Sequence, residues 1–240
     1  MLAHKQIKDN LESVRLRIAT AARQTGRDFK EITLVVVTKG HPVEAVQALW
    51  DLGVLDFGES YVQEGRSKQQ QLQPLAGLRW HMIGHVQSRK AEDVAGHFHL
   101  VHAVDSLKLA RRLNQFAAQA GKVLPILLEV NVSGEASKYG WPAADERSFQ
   151  AAFPEIEKLL QLPNVHVRGL MSMAPLTRTP GEARPFFART RALRDELHSC
   201  FTTADWTWLS MGMSDDFEIA IGEGSTIVRI GTAILGPRPV

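Results

Sequence analysis

The chain has 240 residues, of which 44% are hydrophobic and 22% are charged. This composition provides enough apolar side chains for a large packed core and excludes an intrinsically disordered chain. The 28 basic residues are balanced by 26 acidic ones, and this formal net charge of +2 is too small and too dispersed to predict a nucleic acid partner.

The cysteine content and the length of the apolar stretches indicate the cellular compartment. Cys200 is the single cysteine, so neither an internal disulfide nor a cysteine-based metal cluster is expected. No stretch reaches the roughly 18 apolar residues of a membrane helix, and the N-terminal segment lacks the apolar run of a signal peptide. We therefore expect a cytoplasmic protein without a membrane partner.

The N-terminal segment is predicted to form an amphipathic helix. Apolar residues recur there at steps of four, three and four: Ile7, Leu11, Val14 and Ile18. Polar residues such as Asp9 and Glu12 lie between them, which leaves one apolar face to pack against the rest of the protein.

Eight β-rich segments follow, and helical patterns separate them. The predicted strands are 32–39, 54–59, 80–86, 100–104, 126–132, 165–173, 206–211 and 226–235, and the clearest predicted helices are 43–52, 106–119, 148–160 and 185–201. Sustained alternation of strand and helix indicates repeated β-α units with a parallel sheet. Eight strands favour a closed (β/α)₈ barrel, or TIM barrel, over an open sheet, as one domain over residues 1–240.

Lys39 is the first candidate site residue, because it ends the apolar run VVVTK. Active sites of such barrels lie at the carboxyl ends of the strands. A partly desolvated amine there has a lowered pKa and becomes a better nucleophile towards an aldehyde, as a Schiff base requires. The alternative is a lysine whose stem packs at the strand end while its amine reaches solvent.

Small and hydroxylated residues follow the last two predicted strands and predict a phosphate site. The donors would be Ser210, Ser214, Gly231 and Thr232. Backbone N–H groups and hydroxyls in such turns bind phosphate in many barrels, although turns and helix caps use the same residue types. Arg229, inside the last apolar run, is costly to bury unless a ligand or an internal salt bridge accepts its hydrogen bonds.

The histidines suggest a metal site, but their positions argue against one. His97 and His99 would lie on one face of a strand, as metal ligands can, and His102 follows them. They precede or begin the fourth predicted strand, at the end of the barrel away from catalysis, so a solvated or capping role and no metal are expected. His81 and His85 share a parity that could point them into the barrel.

Six motifs in order carry a family resemblance. They are VVVTKGHP, FGESYVQE, WHMIGHVQSRK, VNVSGEASKYG, GLMSMAP and LSMGMSDDFEIAIGEGSTIVRIGTAILG. In these motifs the chain resembles the pyridoxal phosphate homeostasis proteins (the YggS/PROSC family), single-domain relatives of the N-terminal barrel of alanine racemase. The resemblance runs from the first predicted helix to the last predicted strand and implies the pyridoxal-phosphate fold type III.

The resemblance also implies the cofactor, pyridoxal 5'-phosphate, and roles for several residues. Lys39 would hold it as a Schiff base and Arg229 would face the pyridine nitrogen. Ser210, Gly231 and Thr232 would hold the phosphate, and Ser60 would lie near the cofactor. Lys138 matches a family lysine that is a possible second cofactor acceptor, although a plain loop lysine is the alternative.

Two positions depart from the family pattern, in which asparagine is usual at both. Ser60 places a shorter side chain near the expected cofactor, and Arg89 places a cation in the third motif. His85 also stands where the family often has another residue, and no role is assigned to it. These departures leave the detailed contacts with the cofactor open, but they do not change the expected fold.

The resemblance favours a cofactor carrier that is not an enzyme of broad scope. A cation at the ring nitrogen disfavours ring protonation and weakens the ring as an electron sink. The expected partners are the cofactor and pyridoxal-phosphate-dependent apoenzymes, and the protein is expected to be a monomer. The alternatives are a narrow-scope amino-acid racemase or decarboxylase, and a barrel that binds another phosphate, such as a sugar phosphate.

Overall fold

The computed structural model describes residues 3–73 and 75–238. Its strands in the described residues are β1 Thr33–Val37, β2 Asp56–Glu59, β3 Arg79–Met82, β4 Leu100–Val104, β5 Leu124–Asn131, β6 Trp141–Pro142, β7 Val165–Met171, β8 Trp208–Ser210 and β9 Ile227–Ile230. The helices are α1 His4–Gln24, α2 Val43–Asp51, α3 Val62–Gln71, α4 Ala91–His97, α5 Leu107–Gln119, α6 Glu146–Gln150, α7 Phe153–Leu160, α8 Arg184–Cys200, α9 Phe217–Gly222 and α10 Thr232–Leu235.

The strands close into a barrel. Their order is β4-β3-β2-β1-β9-β8-β7-β5, and a further pairing of β4 with β5 joins the two ends. Every pairing is parallel, as right-handed β-α-β units produce. The predicted (β/α)₈ barrel is thus confirmed, and the carboxyl ends of all eight barrel strands meet at one mouth.

Apolar side chains fill two layers. A small cluster fills part of the barrel interior and consists of Val35, Leu100, Ala103, Leu127, Met171 and Ile227. A much larger cluster lies between the strands and the surrounding helices. The predicted apolar face of α1 is buried and packs beside α9 and α10, so this helix belongs to the outer shell. None of the described helices combines the length and the hydrophobicity that a membrane span requires.

Predicted strand 80–86 ends at Met82, and two further predicted elements are wrong in part. Segment 226–235 is a strand only to Ile230, after which Thr232–Leu235 is helical, because a short apolar run suits a buried helix as well as a strand. Segment 148–160 is two helices, α6 and α7. Pro154 lies in the first turn of α7, where its missing N–H costs nothing, whereas the same ring inside one continuous helix would clash with the preceding turn.

β6 was not predicted, and it lies outside the barrel. It pairs with the end of β5, where Val130 is opposite Trp141 and Asn131 is opposite Pro142. The indole N–H of Trp141 donates to the carbonyl oxygen of Val104 at 3.1 Å. The chain therefore leaves β5, forms a loop, and returns to the same strand.

Candidate functional site

The mouth of the barrel brings together residues from neighbouring strands. Lys39 follows β1, Ser60 follows β2 and Gly231 follows β9, and β1 pairs with both β2 and β9. Arg229 lies opposite Val35 in the β1–β9 pairing. One side of the mouth thus holds a lysine, an arginine and small polar groups.

Lys39 is half-buried, and its surroundings favour the neutral amine. Burial lowers the pKa of Lys39, and the positive charges of Arg238 and Arg229 lower it further. The carboxylates of Glu59 and Glu64 oppose this effect without cancelling it. A larger fraction of neutral amine makes Lys39 a better nucleophile than a solvated lysine.

A buried ionic cluster supports the turn that carries Lys39. Lys68 is 4% exposed, and its Nζ donates to the carbonyl oxygen of Thr38 at 2.6 Å and to Glu59 and Glu64 at 2.7 Å each. The Thr38 hydroxyl donates to Glu59 at 2.6 Å, and the N–H of Gly40 donates to Glu64 at 2.6 Å. The backbone on both sides of Lys39 is therefore held by α3 and β2.

Arg229 is buried inside the barrel, where neutral oxygens accept its hydrogen bonds. Its Nη1 lies 2.7 Å from the carbonyl oxygen and 2.6 Å from Oγ of Ser210, and its Nη2 lies 3.0 Å from the carbonyl oxygen of Ser172. Burial lowers the pKa of Arg229 to about 10, against the attraction of Glu129 and Asp216. The guanidinium therefore stays charged at neutral pH.

The two predicted phosphate turns meet in one cleft. Ser214 and Thr232 line a cleft of about 590 Å³, and the Ser214 hydroxyl accepts from the N–H of Ala233 at 3.2 Å. Gly212 begins the first turn with φ +93, where a Cβ would lie only 2.6 Å from Cβ of Ala220. Glycine is required there both by the backbone conformation and by space.

Ser210 and Gly231 have structural roles inside the barrel that the sequence analysis did not predict. The side chain of Ser210 is fully buried and bonded to Arg229 and His102 inside the barrel. A Cβ at Gly231 would lie 3.0 Å from the carbonyl oxygen of Val37, so this glycine lets β9 approach β1 closely.

His102 overturns the expectation of a solvated or capping role, because it is fully buried. Its Nδ1 lies 2.8 Å from Ser210 Oγ, and its Nε2 lies 2.9 Å from Nδ1 of His81. His81 Nε2 in turn lies 3.0 Å from Asp56 at the start of β2, which also pairs with Arg79. Burial raises the pKa of Asp56, but hydrogen bonds from His81 and Arg79 outweigh this and leave the pKa lowered.

The other two histidines lie outside this chain of contacts. His97 is in α4, not on a strand, and its Nδ1 lies 2.9 Å from the carbonyl oxygen of Asp93. His99 precedes β4 and accepts from the N–H of Trp80 at 3.1 Å. Among the described residues, no three histidine, cysteine or acidic side chains form a metal-binding group.

Glu129 is a site residue that the sequence analysis missed. It lies on β5, is 4% exposed, and its Oε2 is buried without a hydrogen-bond partner among the described residues. Burial and the negative charge of Asp105 raise the pKa of Glu129 to about 7, although Arg229 opposes the shift. A charged residue inside the apolar run ILLEV was the available signal.

Lys138 lies in the loop between β5 and β6. Its Nζ is 2.5 Å from the carboxylate of Glu135, and the amide nitrogen of Asn131 donates to the carbonyl oxygens of both residues. Nearby, His85 lies 3.1 Å from Asp105 and stacks on the ring of Tyr139 at 3.7 Å between centroids. The structure thus places Lys138 at the rim of the mouth, apart from Lys39.

Comparison with known proteins connects this site to a family. The alanine racemase N-terminal domain family matches residues 9–239. The pyridoxal phosphate homeostasis protein of Pseudomonas aeruginosa is 44% identical over 97% of this chain and 96% of its own length. The protein of the same name from Escherichia coli K12 is 41% identical over 97% of both chains.

Solved structures show the same relationship. PipY of Synechococcus elongatus PCC7942 is 36% identical, covers 96% of this chain and 100% of its own, and superposes with a TM-score of 0.85 without pyridoxal phosphate and 0.82 with it bound. Alanine racemase of Clostridium difficile 630 shares the fold at 17% identity, with a TM-score of 0.70 over 98% of this chain and 58% of that one. The chain therefore belongs to the pyridoxal phosphate homeostasis protein family, within the wider alanine racemase N-terminal domain family.

Proposed function

We propose that the protein binds pyridoxal 5'-phosphate as a Schiff base on Lys39 and acts in intracellular homeostasis and delivery of this cofactor, without general catalytic activity. The observation that carries the proposal is the half-buried amine of Lys39, whose pKa is lowered beside the buried cation of Arg229. Relatives with the homeostasis name, and PipY with pyridoxal phosphate bound, support the choice of ligand.

The residues of the mouth fit this ligand. The Lys39 amine would condense with the aldehyde and release one water molecule. Arg229 would face the ring nitrogen, and Ser214, Thr232, Gly231 and Ser210 belong to the two turns that would receive or support the phosphate. Ser60, on the neighbouring strand end, would lie beside the ring. When bound, the cofactor supplies an amine-reactive aldehyde and an electron-withdrawing ring.

A carrier is favoured over a broad enzyme by two features. The Arg229 cation at the ring nitrogen would keep that nitrogen unprotonated and so weaken electron withdrawal. The two tyrosines of the chain, Tyr61 and Tyr139, are 61% and 55% exposed, so neither is a buried proton donor opposite Lys39. Lys39 would therefore act alone as the group that takes and releases the cofactor.

A narrow-scope racemase or decarboxylase is the alternative, and Glu129 favours it. This buried carboxyl lies on β5, across the barrel from β1, and its pKa near 7 suits proton transfer at neutral pH. Turnover of an amino acid above the free-cofactor background, lost in Lys39→Ala and in Glu129→Gln, would replace the carrier proposal with this one.

The remaining parts of the proposal concern domain organisation, oligomeric state, compartment and the recipients of the cofactor. We infer one domain over residues 1–240, a monomer in the cytoplasm, and transfer of cofactor to pyridoxal-phosphate-dependent apoenzymes. The single cysteine, Cys200, is exposed and unpaired, which is consistent with a reducing compartment. Lys138 is a candidate second acceptor during transfer.

The test is a visible absorbance spectrum after incubation with pyridoxal phosphate, followed by borohydride reduction and peptide mass mapping. The wild type is expected to be yellow and to carry the pyridoxyl adduct on Lys39. Lys39→Ala should lose both the band and the adduct, whereas Lys158→Ala, a control on the exposed surface of α7, should keep them. A wild type that stays colourless and unmodified would reject the proposal and favour another phosphate ligand.

A further inference from the structure

A chain of buried hydrogen bonds runs along the barrel interior from the mouth to the opposite end. It starts at Arg229, passes through Ser210, His102 and His81, and ends at Asp56, with successive distances of 2.6, 2.8, 2.9 and 3.0 Å. All five residues are at most 8% exposed. The contacts join β9, β8, β4, β3 and β2. This series of hydrogen bonds therefore crosses the barrel interior from one side to the other.

The chemistry of the two end groups sets the direction of the first and the last hydrogen bond. Arg229 only donates, so Ser210 Oγ accepts from it, and the Asp56 carboxylate only accepts, so His81 Nε2 donates to it. Full burial, together with the nearby charge of Arg229, lowers the pKa of His102 well below its ordinary value, so His102 is neutral.

When the ring of His81 carries only the proton that its Nε2 donates to Asp56, one arrangement satisfies every contact. His81 Nδ1 accepts from His102 Nε2, which leaves His102 Nδ1 as the acceptor for the Ser210 hydroxyl. The proton of Ser210 is thereby directed away from Arg229, and an oxygen lone pair is directed towards it. Each donor in the chain points from the mouth towards Asp56.

We propose that His81 carries its proton on Nε2 alone, and that His102 and His81 are thereby positioning residues for the Arg229 guanidinium, because they fix the orientation of the Ser210 hydroxyl that accepts from it. Without an acceptor at His102 Nδ1, the hydroxyl is free to rotate and its proton can face the guanidinium. Arg229 then loses one of its three hydrogen bonds and the fixed position that they define.

One consequence concerns ligand binding and rests on the proposed function. Arg229 is the group expected at the ring nitrogen, and its charge also lowers the pKa of Lys39. A guanidinium with a less fixed position should bind the cofactor less well, and the loss of one such hydrogen bond corresponds to about tenfold in affinity.

The first test uses nitrogen NMR on the wild-type protein without cofactor. The proposal expects His102 to carry its proton on Nε2 and none on Nδ1, and it expects the Arg229 Nη1 protons to exchange slowly with solvent. A proton on Nδ1 of His102, or a charged ring, would overturn the proposal. This measurement depends neither on a variant that folds nor on cofactor binding.

The second test compares two variants of His102, each of which replaces the hydrogen bonding of one of the two ring nitrogens. The amide oxygen of His102→Asn lies near the position of Nδ1 and still accepts from Ser210, whereas His102→Gln places its amide towards His81 and leaves Ser210 without this acceptor. His99→Asn is the control, because His99 takes no part in this series of hydrogen bonds.

The proposal expects the Arg229 Nη1 protons to exchange about tenfold faster in His102→Gln and to remain protected in His102→Asn. Equal effects of the two variants, or no effect, would overturn it, because a packing role does not distinguish them. The dissociation constant for pyridoxal phosphate should follow the same order. If the NMR results hold and no variant or wild type binds pyridoxal phosphate, the positioning role stands and the proposed function falls.

Discussion

The ammonium of Lys68 donates to the carbonyl oxygen of Thr38 at 2.6 Å, one residue before Lys39. The same nitrogen contacts the buried carboxylate of Glu59 and the partly buried one of Glu64. Burial raises the pKa of Glu59, while the charge and hydrogen bond of Lys68 oppose the rise. The position of the proposed cofactor lysine therefore depends on an ion cluster that lies behind it.

Replacing Lys68 by methionine should destabilise the protein by about 3–5 kcal/mol, because two buried or half-buried carboxylates lose their cation. The measurement is urea unfolding at neutral pH. Lys8→Met is the matched control, since Lys8 also pairs with a glutamate four residues away but is more than half exposed, and its loss should cost less than about 1 kcal/mol. Equal effects at both sites would contradict this account of the cluster.

Glu129 should make stability depend on pH. The unfolded chain releases this proton near pH 4.5 and the folded protein near pH 7, so the folded state holds more protons between these values. The free energy of unfolding should therefore fall as pH rises from 4.5 to 7 and level off above 7, by about 3 kcal/mol from this group.

Glu129→Gln removes this contribution and should be more stable than the wild type above pH 7. Unfolding curves at several pH values measure the difference. Glu157→Gln, on the exposed surface of α7, should leave the pH dependence as it is. A glutamine variant with the wild-type pH profile would show that folding does not raise the pKa of Glu129.

Arg238→Met should raise the pKa of Lys39, because the charge of Arg238 is the second cause of its lowering after burial. The reaction of Lys39 with pyridoxal phosphate should then be slower at pH 7 and recover at higher pH. The pH dependence of the reaction rate measures this, and added salt should shrink the difference. Arg89→Met, an exposed cation that does not act on Lys39, should behave as the wild type does.

Gly212→Ala should destabilise the protein by about 2 kcal/mol or more, because its backbone has φ +93 and a Cβ would meet α9. Gly96→Ala is the control, since Gly96 lies in α4 and a Cβ there meets no atom within 4 Å. That substitution should stabilise by up to about 1 kcal/mol. Thermal unfolding of both variants compares them, and a tolerated alanine at position 212 would refute the steric argument.

The barrel itself follows from the sequence because its strands are buried on both faces. Segments 32–39 and 126–132 are near-continuous apolar runs, and both contain strands. The same property caused the error at 226–235, where an apolar helix and an apolar strand have the same composition. The break between α6 and α7 depended on the position of a single proline.

The interior contacts could not be predicted in the same way. Strand parity indicated that His81 could point inwards, but its contact with His102 depends on the stagger between β3 and β4. The contact of His102 with Ser210 further depends on distances across the barrel. Lys68 lies in a helix rich in glutamine, where nothing in the local pattern distinguishes a buried ammonium from a solvated one.

The short pairing of β6 with β5 makes residues 132–139 an exchangeable segment. Gly140 must stay, because it has φ +116 and a Cβ there would lie 2.8 Å from the carbonyl oxygen of Glu129. Because Trp141 returns beside Val130, the two ends of this segment are already adjacent and are fixed by the barrel wall. Lengthening or exchanging the segment adds only the slowly growing entropy of a longer loop and leaves the strand register unchanged. The rim around Lys138 can therefore diversify, in evolution or by engineering, independently of the chemistry at Lys39.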